Sequence, residues 1–89
     1  MVSAKEHNRW LGVKVSERKA LLRIGANIRR IRKARGWTLE RVEEHGGWKS
    51  WQHWHQLEQG KKAMTIITFI RICRALEVTP NELLEGIKF

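Results

Sequence analysis

Cysteine, proline and acidic residues are all scarce in this sequence of 89 residues. The single cysteine, Cys73, rules out a disulfide bond within the chain and suits a reducing compartment. The single proline, Pro80, leaves nearly all of the chain free to form helices. No run of about 18 apolar residues is present, and the first residues lack the apolar centre of a signal peptide. We therefore expect one compact, cytoplasmic domain without a membrane-spanning helix.

The shortage of acidic residues leaves a large positive charge. Aspartate and glutamate number 9 against 18 lysines and arginines, which gives a formal net charge of +9. This excess favours a polyanionic partner, which would be DNA, RNA or an anionic membrane surface. The alternative is a basic protein with no such partner. The helical pattern described next favours a nucleic acid.

Periodic apolar residues predict a long first helix that starts at Ser16 and ends before Gly36. The apolar residues along its face are Leu21, Ile24, Ile28 and Ile31. Two short helices follow within residues 37–60. Thr38 and Ser50 are their predicted N-caps, and the glycines at positions 46, 47 and 60 are their predicted ends.

Two further helices are predicted after residue 60. Thr65 is the expected cap of the fourth, and six of its residues are expected in the core, namely Ile66, Ile67, Phe69, Ile70, Cys73 and Leu76. In that row Cys73 is interpreted as a small buried apolar residue rather than a reactive thiol. Residues 79–82, Thr-Pro-Asn-Glu, predict a capping box at the start of the fifth helix, and Gly86 is its expected end.

The first 16 residues are the segment with the weakest structural signal. They contain apolar residues at positions 10, 11, 13 and 15 between charged ones. The segment is interpreted as a short strand, a clamp over the core or a dimer contact, or alternatively as a mobile basic arm. We accordingly divide the chain into an arm, residues 1–16, and a helical domain, residues 17–89.

Three stretches together resemble a known family. They are IRRIRKARGWTLERV at residues 28–42, QLEQGKKAMT at residues 56–65 and LEVTPNELL at residues 76–84. In this combination they resemble the helix-turn-helix domain of the lambda repressor and Cro type over residues 24–84. The resemblance implies a compact all-α domain of five helices that binds double-stranded DNA, commonly as a homodimer on two-fold symmetric operators. It also implies a nucleoid-associated transcription regulator, expected to be a repressor, whose third helix (residues 50–59) reads the major groove.

The resemblance also assigns roles to single residues by their distance from Glu58. It places three side chains where the family reaches base edges, namely Trp51, Gln52 and Gln56. Glutamine suits this role because its amide group both donates to and accepts from adenine. Five residues are assigned to phosphate contacts, namely Lys49, Ser50, His53, Gln59 and Lys61. Arg32 falls where the family has an arginine that pairs with the glutamate equivalent to Glu58, which makes a structural salt bridge.

Four departures from the family pattern concern the same unit. Glu43 stands where the second helix usually has a small residue, and the turn over residues 46–50 is one residue longer than usual. We expect this turn, with Trp48 as a wedge, to open the helix crossing so that Glu43 reaches water or a basic partner. Leu39 replaces a glutamine that commonly contacts the DNA backbone. Trp51 either touches a base or sugar or folds back onto Trp48.

Some features of the sequence bear on ligands and functions other than DNA binding. His53 and His55 lack the four-residue spacing of a helical metal pair, so we expect no bound metal. We also expect no cofactor and no small-molecule ligand. No nucleophile is paired with a base, so we expect no enzyme. Five tryptophans favour a protein partner, for example for an antitoxin component, and the positive charge also suits an RNA-associated factor. A homodimer is expected through apolar residues outside the helices, namely Ile87, Phe89 and residues 10–15.

Overall fold

Five α-helices make up most of the chain that the structure describes, residues 15–88. A computed structural model gives them as α1 (Val15–Ala34), α2 (Leu39–Gly46), α3 (Trp51–Glu58), α4 (Ile66–Leu76) and α5 (Pro80–Leu83). Within residues 15–88 there is no strand, which confirms the predicted all-α class. None of these helices has the length and apolarity needed to cross a bilayer. Residues 1–14, most of the predicted arm, and Phe89 lie outside the described residues.

Side-chain caps start four of the helices at the residues predicted from the sequence. The capping side chains are those of Thr38, Ser50, Thr65 and Thr79. Thr79 forms a full capping box, because the Glu82 carboxylate also accepts from the Thr79 backbone N–H at 2.7 Å. Each cap gives a partner to a backbone N–H that the first helical turn leaves unsatisfied. The starts of α2 and α3 therefore follow from local sequence.

The hydrophobic core is shared by all five helices. Helix α3 packs against α1 and α2, and α4 packs against α2 and α5. The most deeply buried apolar side chains are Ile28, Val42, Trp54, Leu57, Ile72, Leu76 and Leu83. Cys73 is also buried, as predicted, and loss of hydration raises the pKa of its thiol above the ordinary value.

The apolar face predicted for α4 is wrong in part. The sequence pattern places Ile66, Ile67 and Ile70 in the core, but these side chains are 69%, 62% and 37% exposed. The α4 residues that are buried are Phe69, Ile72, Cys73 and Leu76. Because α4 carries apolar residues on both sides, periodicity alone does not decide which side faces inward. Packing against α2 and α5 decides it.

Helix α5 ends earlier than predicted. The sequence places its end at Gly86, whereas the helix ends at Leu83 and Gly86 lies in the turn that follows, with φ of 83°. The buried side chain of Asn27 in α1 accounts for the difference. Its Nδ2 donates to the carbonyl oxygens of Leu83 at 2.8 Å and Glu85 at 2.9 Å. These carbonyl groups gain a partner from α1, so the helix need not continue.

Gly25 allows α3 to lie directly against α1. A Cβ atom at this position would be 2.3 Å from the backbone oxygen of Glu58 and 2.7 Å from that of Leu57. Both atoms belong to the backbone of α3, so neither can move aside without shifting that helix. Only glycine fits this contact.

A buried ion pair joins the same two helices. Arg32 of α1 donates from Nε and Nη2 to the two carboxylate oxygens of Glu58, at 2.6 and 3.1 Å. Its Nη1 donates to the carbonyl oxygen of Trp37 at 2.7 Å, and the indole N–H of Trp54 donates to Glu58 Oε2 at 2.7 Å. The two charged side chains are only 8% and 1% exposed. This network, the α1–α3 lock, sets how α3 lies against α1.

Replacing Gly25 with alanine should destabilise the domain by roughly 2–3 kcal/mol, because the new methyl group meets backbone atoms that cannot yield. Helix propensity alone predicts the opposite sign, a gain of about 1 kcal/mol. Urea unfolding followed by circular dichroism measures the change. Ala26→Gly, at the exposed neighbouring position, is the matched control and should lose only about 1 kcal/mol. A Gly25→Ala variant as stable as the wild type would contradict the close approach.

Replacing Glu58 with alanine should cost about 3–5 kcal/mol, because the Arg32 guanidinium stays buried without its partner. Glu85→Ala is the control. It breaks the exposed Arg30–Glu85 pair, which is 3.3 Å long with side chains 56% and 70% exposed, and should cost less than about 1 kcal/mol. Thermal and urea unfolding of both variants provide the comparison. Equal losses would show that burial of the α1–α3 lock has no energetic consequence.

Candidate nucleic-acid interface

The turn between α2 and α3 is closed by a buried tryptophan. Gly47 begins it with φ of 66°, a left-handed conformation that costs glycine little. Trp48 then enters the core, with its ring edge-on to that of Trp54 at 5.0 Å between centroids. Its indole N–H donates to Nδ1 of His53 at 3.0 Å, and these two rings lie nearly parallel, side by side, with 5.9 Å between centroids. Trp48 therefore ties the turn to α3.

The longer turn is packed rather than loose. The guanidinium carbon of Arg71 in α4 lies 5.4 Å from the centroid of the Trp48 ring. At the end of α2, a Cβ atom at Gly46 would lie 3.1 Å from the Cβ of Ala75 in α4. Glu43 is partly exposed. The Glu43 carboxylate therefore has some access to water, as expected from the sequence, and is not fully buried in the helix crossing.

Helix α3 has one buried side and one side that faces solvent. Its buried residues are Trp54, Leu57 and Glu58. At about 100° per residue, the opposite side carries Gln52, Gln56 and Gln59, which we call the glutamine row. Gln52 and Gln59 are exposed and Gln56 is partly exposed. Two predicted base-reading residues and one predicted phosphate-contacting residue thus share one face.

Trp51 and His53, the first and third residues of α3, are both half-buried. Within the described residues, the ring contacts of Trp48 are with His53 and Trp54, so the predicted alternative of Trp51 stacking on Trp48 is not seen. Because Nδ1 of His53 accepts from Trp48, the proton of the neutral ring is on Nε2. His53 therefore offers an N–H donor on the side away from Trp48.

Ser50 and Gln52 are hydrogen bonded at the start of α3. The Ser50 hydroxyl donates to Gln52 Oε1 at 2.9 Å and accepts from the His53 backbone N–H at 3.3 Å. This hydroxyl, a predicted phosphate contact, is thus engaged within α3. The amide nitrogen of Gln52 is the group that remains to donate outward, which suits acceptors such as N7 and O6 of guanine.

Exposed lysines lie at both ends of α3. Lys49 precedes the helix in the turn, and Lys61 follows it. The backbone N–H of Lys61 donates to the carbonyl oxygen of Gln56 at 3.1 Å, which holds Lys61 against the end of α3. The two lysines therefore place positive charge before and after the glutamine row along the chain.

His45 and His53 each have their own aromatic neighbour. His45 lies edge-on to Trp37, with 5.4 Å between ring centroids, while His53 is bound to Trp48. Among residues 17–88, no group of three or more histidine, cysteine, aspartate or glutamate side chains is arranged to hold a metal ion.

Sequence reasoning missed part of this arrangement. It did not predict the hydrogen bond from the Trp54 indole to Glu58. The sequence carried a signal for this bond, because residues four apart on a helix lie side by side. Trp48 and Trp54 are both buried in the core. The number of tryptophans is therefore weaker support for a protein interface than the sequence suggested.

Two comparisons with known proteins agree with this geometry. Residues 23–85 match the sequence model of a family described as a helix-turn-helix domain. A relative from Sinorhizobium fredii (strain NBRC 101917 / NGR234), named as the uncharacterized HTH-type transcriptional regulator y4dJ, is 38% identical over 60 residues. These residues cover 67% of this chain and 77% of the relative. No solved structure matches the chain.

The matched region contains the α1–α3 lock, the α2–α3 turn and the glutamine row. It also covers all of α4 and α5, so the comparison includes the scaffold as well as the turn. The chain therefore belongs to the helix-turn-helix family of DNA-binding domains.

Proposed function

We propose that this chain is a transcription regulator that binds double-stranded DNA in a sequence-specific way, with α3 and its caps (residues 50–59) in the major groove. The observation that carries the proposal is the glutamine row. It is presented to solvent by a helix whose other side is held by the α1–α3 lock. The name of the relative from Sinorhizobium fredii, an HTH-type transcriptional regulator, supports the same function.

Base reading is assigned to Gln52 and Gln56, with Trp51 beside them. A glutamine amide makes two hydrogen bonds with adenine N6 and N7, which discriminates by roughly 1–3 kcal/mol against other bases. The Ser50 hydroxyl already holds Oε1 of Gln52, so this residue acts mainly as a donor unless that bond opens. The Trp51 indole is suited to apolar contact with a thymine methyl group or a sugar.

Phosphate contacts are assigned to residues around the glutamine row. Lys49 and Lys61 supply charge at the two ends of α3, and His53 supplies its Nε2–H. Gln59 and the backbone N–H groups at the start of α3, beside Ser50, extend this set. The net charge of +9 adds an attraction that does not depend on base sequence.

Repression by a homodimer is the mode of action that we propose. A domain of this size can block a promoter by occupying it, which requires only tight and specific binding. Two copies related by two-fold symmetry would read two half-sites about one turn of the DNA helix apart. A dimer would thus contact more base pairs than a single short α3 can reach. Ile87, a half-buried apolar residue beyond α5, is a candidate contact between the copies.

Gln56→Ala and Lys61→Ala should weaken DNA binding in different ways. Loss of Gln56 should relax base preference at one position in each half-site, at a cost of about 1–3 kcal/mol on the best sequence. Loss of Lys61 should weaken all sequences alike and reduce the slope of log affinity against log salt by about 1. Fluorescence anisotropy with duplexes selected from a random pool measures both effects across a salt series.

Lys33→Ala, which removes an exposed cation of α1, is the control for the change in net charge. It should alter the salt slope less than Lys61→Ala does. If the random pool yields no enriched sequence, specific readout is wrong. If sequences are enriched but Gln56→Ala leaves the preference unchanged, α3 does not read the bases at that position.

A further inference from the structure

Three isoleucines on α4 lie outside the buried core and are exposed in part. Ile66 and Ile67 are 69% and 62% exposed, Ile70 is 37% exposed, and all three lie within five residues of one helix. The α4 residues that build the core lie on the opposite side of the helix. An isoleucine side chain that stays mostly in water contributes little to folding, so Ile66 and Ile67 in particular call for another explanation.

Positive charges surround this patch. Arg71 and Arg74 are exposed one turn further along α4, on the same side of the helix, and Lys61 and Lys62 precede α4 in the chain. We call Ile66, Ile67, Ile70, Arg71 and Arg74 the α4 surface. The acidic residue nearest to it on α4 is Glu77, at the C-terminal cap. The α4 surface is therefore an apolar centre with a cationic border.

The two arginines also border a cleft between α2 and α4. Its volume is about 330 Å³, and its walls include Trp37, His45 and Trp48. Arg71 lies over the Trp48 ring and Arg74 stands beside the cleft. Glu77 also lines the cleft, so a side chain that a partner extends past the arginines into it would be aromatic rather than acidic.

A second copy of the chain is a poor occupant of the α4 surface. If two α4 helices pair in parallel about a two-fold axis, Arg71 and Arg74 face the same arginines of the other copy. If they pair antiparallel, the arginines approach the positive end of the other helix and the lysines that precede it. Both arrangements bring like charges together where the isoleucines would be buried, which costs free energy.

We propose that the α4 surface is a docking site for an acidic protein segment, one that presents two or three aliphatic side chains flanked by aspartate or glutamate. The aliphatic side chains cover the isoleucines, and the carboxylates pair with Arg71 and Arg74. A standard interface buries about 800 Å² on each partner, so the isoleucines form its centre and the charged residues its border. This site lies outside the glutamine row and does not depend on the proposed reading of DNA.

The test uses the full chain, labelled with ¹⁵N, and a synthetic helical probe. The probe peptide carries leucines at positions i, i+3, i+4 and i+7 and glutamates on both flanks. We expect saturable binding with chemical-shift changes concentrated in residues 66–74. A peptide of identical spacing with lysine in place of each glutamate should not bind, because its charges repel the arginines.

Matched variants distinguish binding at the α4 surface from nonspecific binding elsewhere on the protein. Ile66→Ser combined with Ile67→Ser should weaken binding of the acidic peptide at least about tenfold. Leu22→Ser, which removes an apolar side chain of α1 that is 47% exposed, should leave binding unchanged. Arg74→Glu should also weaken binding about tenfold, and Lys33→Glu should not. Circular dichroism confirms folding, and Arg74→Glu carries the test if the double variant unfolds.

Four outcomes would overturn the proposal. They are absence of peptide binding, equal loss of binding in Leu22→Ser, binding of the lysine peptide as tight as that of the glutamate peptide, and self-association abolished by the isoleucine changes. The last would make a second copy the occupant. Vesicles of phosphatidylcholine with phosphatidylglycerol are added as a further probe. If they shift residues 66–74 and the acidic peptide does not, the α4 surface binds lipid and the proposal is wrong.

Discussion

The placement of α3 depends on one buried ion pair, Arg32 with Glu58. Removing two charges from water is costly, and the pair is compensated only because each atom of the two groups finds a partner of fixed geometry. Trp54 and the carbonyl group of Trp37 complete that set. Such a pair contributes little net stability compared with well-packed apolar residues, but it tolerates few alternative arrangements. Its main consequence is that α3 has one orientation against α1.

That orientation determines what α3 can do. With Glu58, Trp54 and Leu57 turned inward, helical geometry leaves the glutamine row outward. The unusual turn contributes at the other end, where Trp48 occupies the core and holds His53 through its indole N–H. Both ends of a short helix are thus anchored by polar contacts that have direction as well as strength. A helix of eight residues has little stability of its own. The contacts at its two ends therefore supply the stability that a longer helix would have by itself.

The surface divides into regions with different chemistry. The glutamine row is polar and uncharged, with lysines before and after it in the chain. This suits a ligand such as DNA, whose hydrogen-bonding base edges lie between two negatively charged backbones. The α4 surface is apolar at its centre and cationic at its border, which suits an acidic protein. Both use the same positive charge of the chain for attraction, and they differ in what lies between the charges. The net charge of the chain therefore indicates that its partners are negatively charged. The side chains between the charges indicate which class of partner each surface binds.

Local sequence by itself determined where the helices begin, because a cap such as Thr38 or Ser50 acts within three residues of its own position. The resemblance to the lambda repressor and Cro type, carried by residues 28–42, 56–65 and 76–84, implied the family and the pairing of Arg32 with Glu58. Tertiary structure alone decided which side of α4 is buried and where α5 ends, since Asn27 acts on carbonyl groups 56 and 58 residues away. It also decided the need for glycine at position 25 and the bond between Trp48 and His53. The physical reason is that hydrogen bonds within a turn are set by neighbours in the chain, whereas burial depends on surfaces that meet only after folding.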